Sequence, residues 1–159
     1  MSDYMFMLDS HLNGEQSKAL AEVRDAAEQA NLNLFLTGGA MRDMMGGFPI
    51  RDLDFSVEGG SVKFAKAVAH KAGAEILAVD ELRKSVELRF PGHVMASISM
   101  TRIEKVSKPG AKPQVQSATI HEDLRGRDFT VDAIALSLGK ASRGLLLCLL
   151  YTSPSPRDS

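Results

Sequence analysis

Apolar residues along the chain recur with two different periods, and the switches between them mark out its elements. Between residues 14 and 30, Leu20, Val23, Ala27 and Ala30 fall on one helical stripe, with Asn13 standing before it as a cap. Residues 33–37 form a short apolar run, predicting a buried strand that ends at Gly38-Gly39. Residues 40–45 predict the opening turns of a helix, stopped by Gly46-Gly47 and Pro49. Over 51–57 the period drops to two: Leu53, Phe55 and Val57 share one side, Asp52, Asp54 and Ser56 the other. Ser61 is placed to cap a helix whose inner face is Val62, Ala65, Val68, Ala69 and Ala72, with Gly73 closing it. Strands are predicted at 74–79, 85–90 and 94–101, the last two joined at Pro91-Gly92. Residues 108–113 form a loop rich in Pro, Gly and Lys, and 121–138 is read as helical in pieces.

These strands outnumber what a regular βαβ alternation supplies, so the expected fold is α+β, a mixed sheet with helices packed on it. A chain of 159 residues has room for one domain, expected over 1–147 with its core at about 31–147. At Cys148 the sequence changes character, and 148–159, with its Thr-Ser-Pro-Ser-Pro, is expected to be a non-native or read-through tail kept out of fold reasoning. A net charge of −1 gives no long-range pull toward nucleic acid, so any RNA contact is expected from a local patch or from segments outside this chain. The single cysteine excludes an internal disulfide framework. No signal-peptide pattern is present and no apolar run nears membrane-spanning length, so the expected setting is the cytoplasm.

The chemistry concentrates between residues 38 and 54. Gly38 and Gly39, between a strand and a helix, let backbone approach an anion, and the helix start turns free N–H groups toward it. Asp52 and Asp54, two apart on a strand, send both carboxylates from one face, ~6.6 Å apart at the backbone. That spacing suits a pair of Mg²⁺ ions ~3.5–4 Å apart, the arrangement used for in-line phosphoryl displacement. An anion cradle beside a hard-cation site outlines a nucleoside triphosphate site. It is neither a P-loop nor a dinucleotide fingerprint, because no Gly-Lys-Ser/Thr and no Gly-x-Gly-x-x-Gly follows. His11, His70, His93 and His121 share no metal-ligand spacing.

Gly38-Gly39-Ala40-Met41-Arg42-Asp43, then Met45-Gly46-Gly47-Phe48-Pro49, then Asp52-Leu53-Asp54 resemble the first motif of the bacterial tRNA nucleotidyltransferase and poly(A) polymerase group. This group is the class II branch of the polymerase-β-like nucleotidyltransferases. Gly126-Arg127-Asp128-Phe129-Thr130-Val131-Asp132-Ala133 resembles its second motif. The resemblance implies a polymerase-β-like palm that transfers nucleotides from CTP or ATP to an RNA 3′-hydroxyl, CCA addition to tRNA being the first choice. It further implies that Asp52 and Asp54 hold the catalytic metals and that Gly38, Gly39, Arg42 and Asp43 contact the nucleotide. Arg127 and Asp128 are implied to reach its ribose. Gly126 and Asp132 replace an Arg and an Asn of the second motif, and Ser97 stands where related heads often carry an acid. The family's base-selecting motif and its helical body lie beyond residue 159. Poly(A) addition, partial CCA addition, and nucleotide or RNA binding without turnover are the alternatives.

Overall fold

The computed structural model describes residues 3–127 and 133–148. Two helices open the chain, α1 (Asp3–Ser10) and α2 (Gly14–Ala30). The first was not predicted, because its eight residues bury only Met5 and Leu8 and carry a weak stripe. α2 has the predicted bounds. Asn13 accepts from the Gln16 N–H while the Gln16 side chain accepts from the Asn13 N–H, so two helix-end donors are satisfied reciprocally.

A seven-stranded sheet follows in the order β3-β4-β5-β2-β1-β8-β9. Its members are β1 (Leu34–Leu36), β2 (Leu53–Val57), β3 (Glu75–Asp80), β4 (Ser85–Phe90), β5 (Val94–Met100), β8 (Ile134–Ser137) and β9 (Leu146–Cys148). Only β2 and β5 run parallel; every other pairing is antiparallel, which makes the sheet mixed, as expected. α3 (Gly38–Met45) joins β1 to β2 and α4 (Ser61–Ala72) joins β2 to β3. A separate hairpin, β6 (Arg102–Lys105) and β7 (Gln114–Ser117), leads into α5 (Ile120–Arg125). Among the described residues, no helix is long and apolar enough to cross a membrane.

The alternation in each strand sorts the two faces. Leu53, Phe55 and Val57 of β2, Val86 and Leu88 of β4, and Ala96 and Ile98 of β5 are buried in the main core with α2 and α4. On the opposite face, α5 brings Ile120 and Leu124 onto Phe35, Ala135 and Leu147. This second cluster covers β1, β8 and β9, and leaves the same face of β2, β5 and β4 to Asp54, Ser97 and Glu87, which stand in one row across the sheet. α5 is held there by Thr119, whose hydroxyl caps Glu122, and by Glu58, which accepts from the Ile120 N–H at 2.7 Å.

Three expectations are corrected. Helix α4 is capped at Gly60; Ser61 is buried instead and donates its hydroxyl to the Lys84 carbonyl. Among its described residues, the stretch 121–138 carries most of the short helix α5 and then strand β8, whose apolar residues are covered on both faces and so carry no alternation. The 108–113 loop lies where it was predicted, and strands β6 and β7, which the pattern did not show, flank it. Cys148 is part of the sheet, buried in β9 opposite Ile134, so the change in sequence character falls one residue inside the last strand.

Removing the reciprocal cap tests the start of α2. Asn13→Ala is expected to cost about 1 kcal/mol and to lower the melting temperature by roughly 3–6 °C, followed by circular dichroism at 222 nm. An unchanged melting temperature would show that packing alone fixes this helix end.

Candidate active site

The site is built where β1 ends. Thr37 closes the strand, donating its N–H to the Asp54 carbonyl at 2.9 Å, and its hydroxyl meets that of Ser56 at 2.9 Å. The chain then turns at Gly38, whose φ of +59° is left-handed and open to glycine at little cost. Helix α3 starts at once, two residues earlier than its sequence pattern suggests. Its N-terminus points at Asp54: the Ala40 N–H donates to Asp54 Oδ2 at 3.1 Å. A side chain on Gly39 would crowd that carboxylate, since its Cβ would stand 3.1 Å from Oδ2, whereas at Gly38 it is the left-handed φ that asks for glycine. The Gly-Gly pair therefore makes room for a close approach, and the anion at the helix start is the protein's own.

Asp54 is held from a third direction. β5 runs parallel to β2 with Ser97 opposite Asp54, and the Ser97 hydroxyl donates to Oδ1 at 3.0 Å. Burial pushes the Asp54 carboxyl above its ordinary value; the bonds from Ser97 and Ala40 pull it back, and the neighbouring charge of Asp52 pushes it up again. Asp52 lies one residue before β2 and is exposed. One carboxylate is thus fixed and partly desolvated, the other open to water. The Gly39 N–H at the start of α3 adds a further hydrogen bond that favours the ionised Asp54 carboxylate.

The remaining candidates separate into three groups. The Arg42 guanidinium lies back along α3 toward the same turn, where a Cβ at Gly39 would be 3.2 Å from its Nη2. Asp43, one residue on, faces the other way and is buried. Its carboxylate accepts from the Arg51 backbone N–H at 3.1 Å, from Nη2 at 3.2 Å and from Nε at 3.3 Å, so it braces the loop between α3 and β2 rather than lying open to solvent. That loop is pinned again by Gln16, whose side-chain amide donates to the Ile50 carbonyl at 2.7 Å. Arg127 lies in a different cleft of about 850 Å³ between the β6–β7 hairpin and α5, bonded at 2.7 Å to Asp123 and lined also by Arg102 and Lys105. Neither Asp52 nor Asp54 lines that cleft, and Asp128 lies outside the described residues. Ser97, noted in the sequence only for the acid it replaces, and Arg51, not noted at all, are the contributions that pattern reading missed. Ser97 alternates with Ala96 and Ile98 onto the polar face, but only the parallel register brings it to Asp54.

The Asp43 brace has a pH signature. Hydrogen bonding from Arg51 holds the Asp43 carboxyl below its ordinary value, so its contribution is present above the unfolded pKa and is lost as pH falls through the folded one. Asp43→Asn is expected to melt below wild type at pH 7, the gap closing as pH is lowered below about 4. A gap that persists undiminished in acid would assign the loss to shape rather than charge.

Comparison with known proteins follows this geometry. A family described as the poly A polymerase head domain matches residues 34–146. An A-adding tRNA nucleotidyltransferase of Halalkalibacterium halodurans is 33% identical over 92% of this chain and 34% of its own length. A CC-adding tRNA nucleotidyltransferase of Deinococcus radiodurans is 32% identical over 79% of this chain and 36% of its own. A CCA-adding enzyme solved without ligand superposes with a TM-score of 0.80 at 26% identity, covering 92% of this chain and 34% of that one. The chain thus spans about a third of the length of each of these three proteins. The motif resemblance and the fold agree with these matches: the protein belongs to the poly A polymerase head-domain family.

Proposed function

We propose that this chain is the catalytic head of a tRNA nucleotidyltransferase working in the cytoplasm, joining a nucleoside monophosphate from ATP or CTP to an RNA 3′-hydroxyl. The observation that carries the reading is the pairing of a fixed, half-buried Asp54 with an exposed Asp52 at the start of α3, on an open sheet face. The A-adding and CC-adding names of its relatives supply the substrate class and put CCA addition, whole or partial, ahead of poly(A) addition.

The donor set fits a hard divalent cation. Two carboxylates supply oxygen ligands only, and among the described residues no third Asp, Glu, His or Cys joins them to make a closed metal cage. An open site of this kind leaves positions for phosphate oxygens and water. When bound there, Mg²⁺ supplies charge neutralisation for the triphosphate and acidifies the attacking hydroxyl. Asp52 and Asp54 hold it, with Ser97 and the Ala40 N–H keeping the Asp54 carboxylate in one orientation.

In the reaction the 3′-oxygen bonds to the α-phosphorus, the α–β anhydride bond breaks, and pyrophosphate leaves with the displaced electron pair. The 3′-hydroxyl proton passes to water or to a carboxylate at the site. No covalent enzyme intermediate is needed; Arg42, lying toward the turn beside Asp54, balances charge on the phosphates.

Asp52→Asn and Asp54→Asn test this reading. Each is expected to weaken Mg²⁺-dependent ATP or CTP binding, read by calorimetry, beyond the roughly 10–100-fold that loss of an outer-shell partner costs. Asp54→Asn is also expected to melt at or above wild type at pH 7. With its pKa raised, the folded state favours the protonated acid, and that contribution is lost as pH rises through the folded value. The amide remains satisfied: its oxygen takes the Ala40 N–H while its nitrogen donates to Ser97. Binding that is equal in wild type and both variants, or indifferent to Mg²⁺, would defeat the two-carboxylate reading. Extension of a tRNA lacking its CCA end then separates turnover from binding alone.

A further inference from the structure

The loop between α3 and β2 carries a feature that the carboxylate chemistry does not use. Phe48 is 64% exposed and Met45 is 40% exposed; with Pro49 they line a cleft of about 960 Å³, and Arg42 and Arg51 stand on its walls. An exposed phenylalanine alone is ordinary. This one is held in place. The Phe48 N–H donates to the Asp43 carbonyl at 2.9 Å, Gly46 and Gly47 donate to the Arg42 and Met44 carbonyls, and the Asp43 carboxylate grips Arg51 beyond the loop. The ring also lies against Gly46, where a Cβ would stand 3.0 Å from Cδ2. One part of the ring is therefore seated on backbone, and the rest is presented to solvent on a braced loop, four residues before Asp52.

We infer that Phe48 is a stacking platform for a nucleobase at the 3′ end of the acceptor RNA, with the exposed Arg51 guanidinium beside its phosphates. The inference rests on the nucleotidyltransferase reading above. The chemistry of the cleft selects this occupant. A braced aromatic face beside the exposed guanidinium of Arg51 matches single-stranded nucleic acid, whose bases offer π-faces and whose backbone offers anions. The loop runs in four residues to the exposed Asp52, so a base stacked on Phe48 is tied by a short stretch of chain to the carboxylate site. The platform reads no base edge and is therefore tolerant of sequence, as stacking is. It gives a head of net charge −1 a local means of gripping RNA.

The test measures two affinities of the whole 159-residue chain, for a short single-stranded RNA by fluorescence anisotropy and for ATP with Mg²⁺ by calorimetry. Phe48→Ala and Phe48→Leu are each expected to weaken RNA binding about tenfold, Phe48→Trp to match or exceed wild type, and ATP binding to stay within about twofold throughout. The leucine variant separates stacking from apolar contact, as with a protein segment docked in the cleft. Full RNA affinity in Phe48→Leu, no change in Phe48→Ala, or no RNA binding by wild type overturns the platform while leaving the carboxylate reading intact. Loss of ATP binding in step with RNA binding also overturns it, because the ring would then be supporting the triphosphate site. Absence of Mg²⁺-dependent ATP binding in wild type overturns both.

Discussion

A negative charge held partly out of water at Asp54 is the constraint around which this head is arranged. Desolvating a carboxylate is costly unless donors replace the lost water, and here three elements contribute. The start of α3 supplies the Ala40 N–H and the positive end of a helix dipole; β5 supplies the Ser97 hydroxyl; β2 supplies the residue itself. The glycines belong to the same arrangement: a side chain at Gly39 would press on the carboxylate oxygen, and Gly38 takes the left-handed turn that starts α3. Even so, burial outweighs the hydrogen bonds, and the acid stays harder to ionise than in water. A site left in that condition is stabilised by whatever positive charge comes to it.

The supporting structure keeps that site both open and in register. Because α5 and its small apolar cluster cover the sheet only over β1, β8 and β9, the polar row of Asp54, Ser97 and Glu87 keeps access to solvent. On the far face, α2 and α4 bury the alternate residues of the same strands and so prevent the register from slipping by one. One strand therefore serves both purposes: Leu53, Phe55 and Val57 anchor it while Asp54 is presented. The loop that delivers Asp52 is tied to α2 through Gln16 and to α3 through Asp43 and Arg51, which limits its freedom without covering it.

Much of this was legible beforehand because it depends on local rules. The helical period and the reciprocal cap set the bounds of α2, the alternation in residues 51–57 assigned inner and outer faces, and the glycine pair before an apolar helix marked a turn. Asp52 stands one residue before the strand that carries Asp54, near enough for its charge to act on that carboxyl. Where local rules failed, a distant partner had intervened. Strand β8 lacks alternation because it is covered on both faces; Ser61 forgoes capping because Lys84, 23 residues away, offers its carbonyl; α1 depends on packing Met5 and Leu8 into a core built mostly by other elements.

The sequence by itself determined which two carboxylates stand two residues apart, where a glycine turn meets a helix start, and the α+β character of the scaffold. Each of these depends on residue identity and on separations of a few residues, over which backbone geometry is nearly fixed. Only the tertiary structure decided how those groups are used. It set Ser97 against Asp54 through a parallel pairing 43 residues apart, turned Asp43 inward as a brace while its neighbour Arg42 faces the turn, and placed Arg127 in a cleft of its own. Those outcomes depend on sheet order and register, which are settled by burial summed over the whole domain, and no local pattern contains that sum.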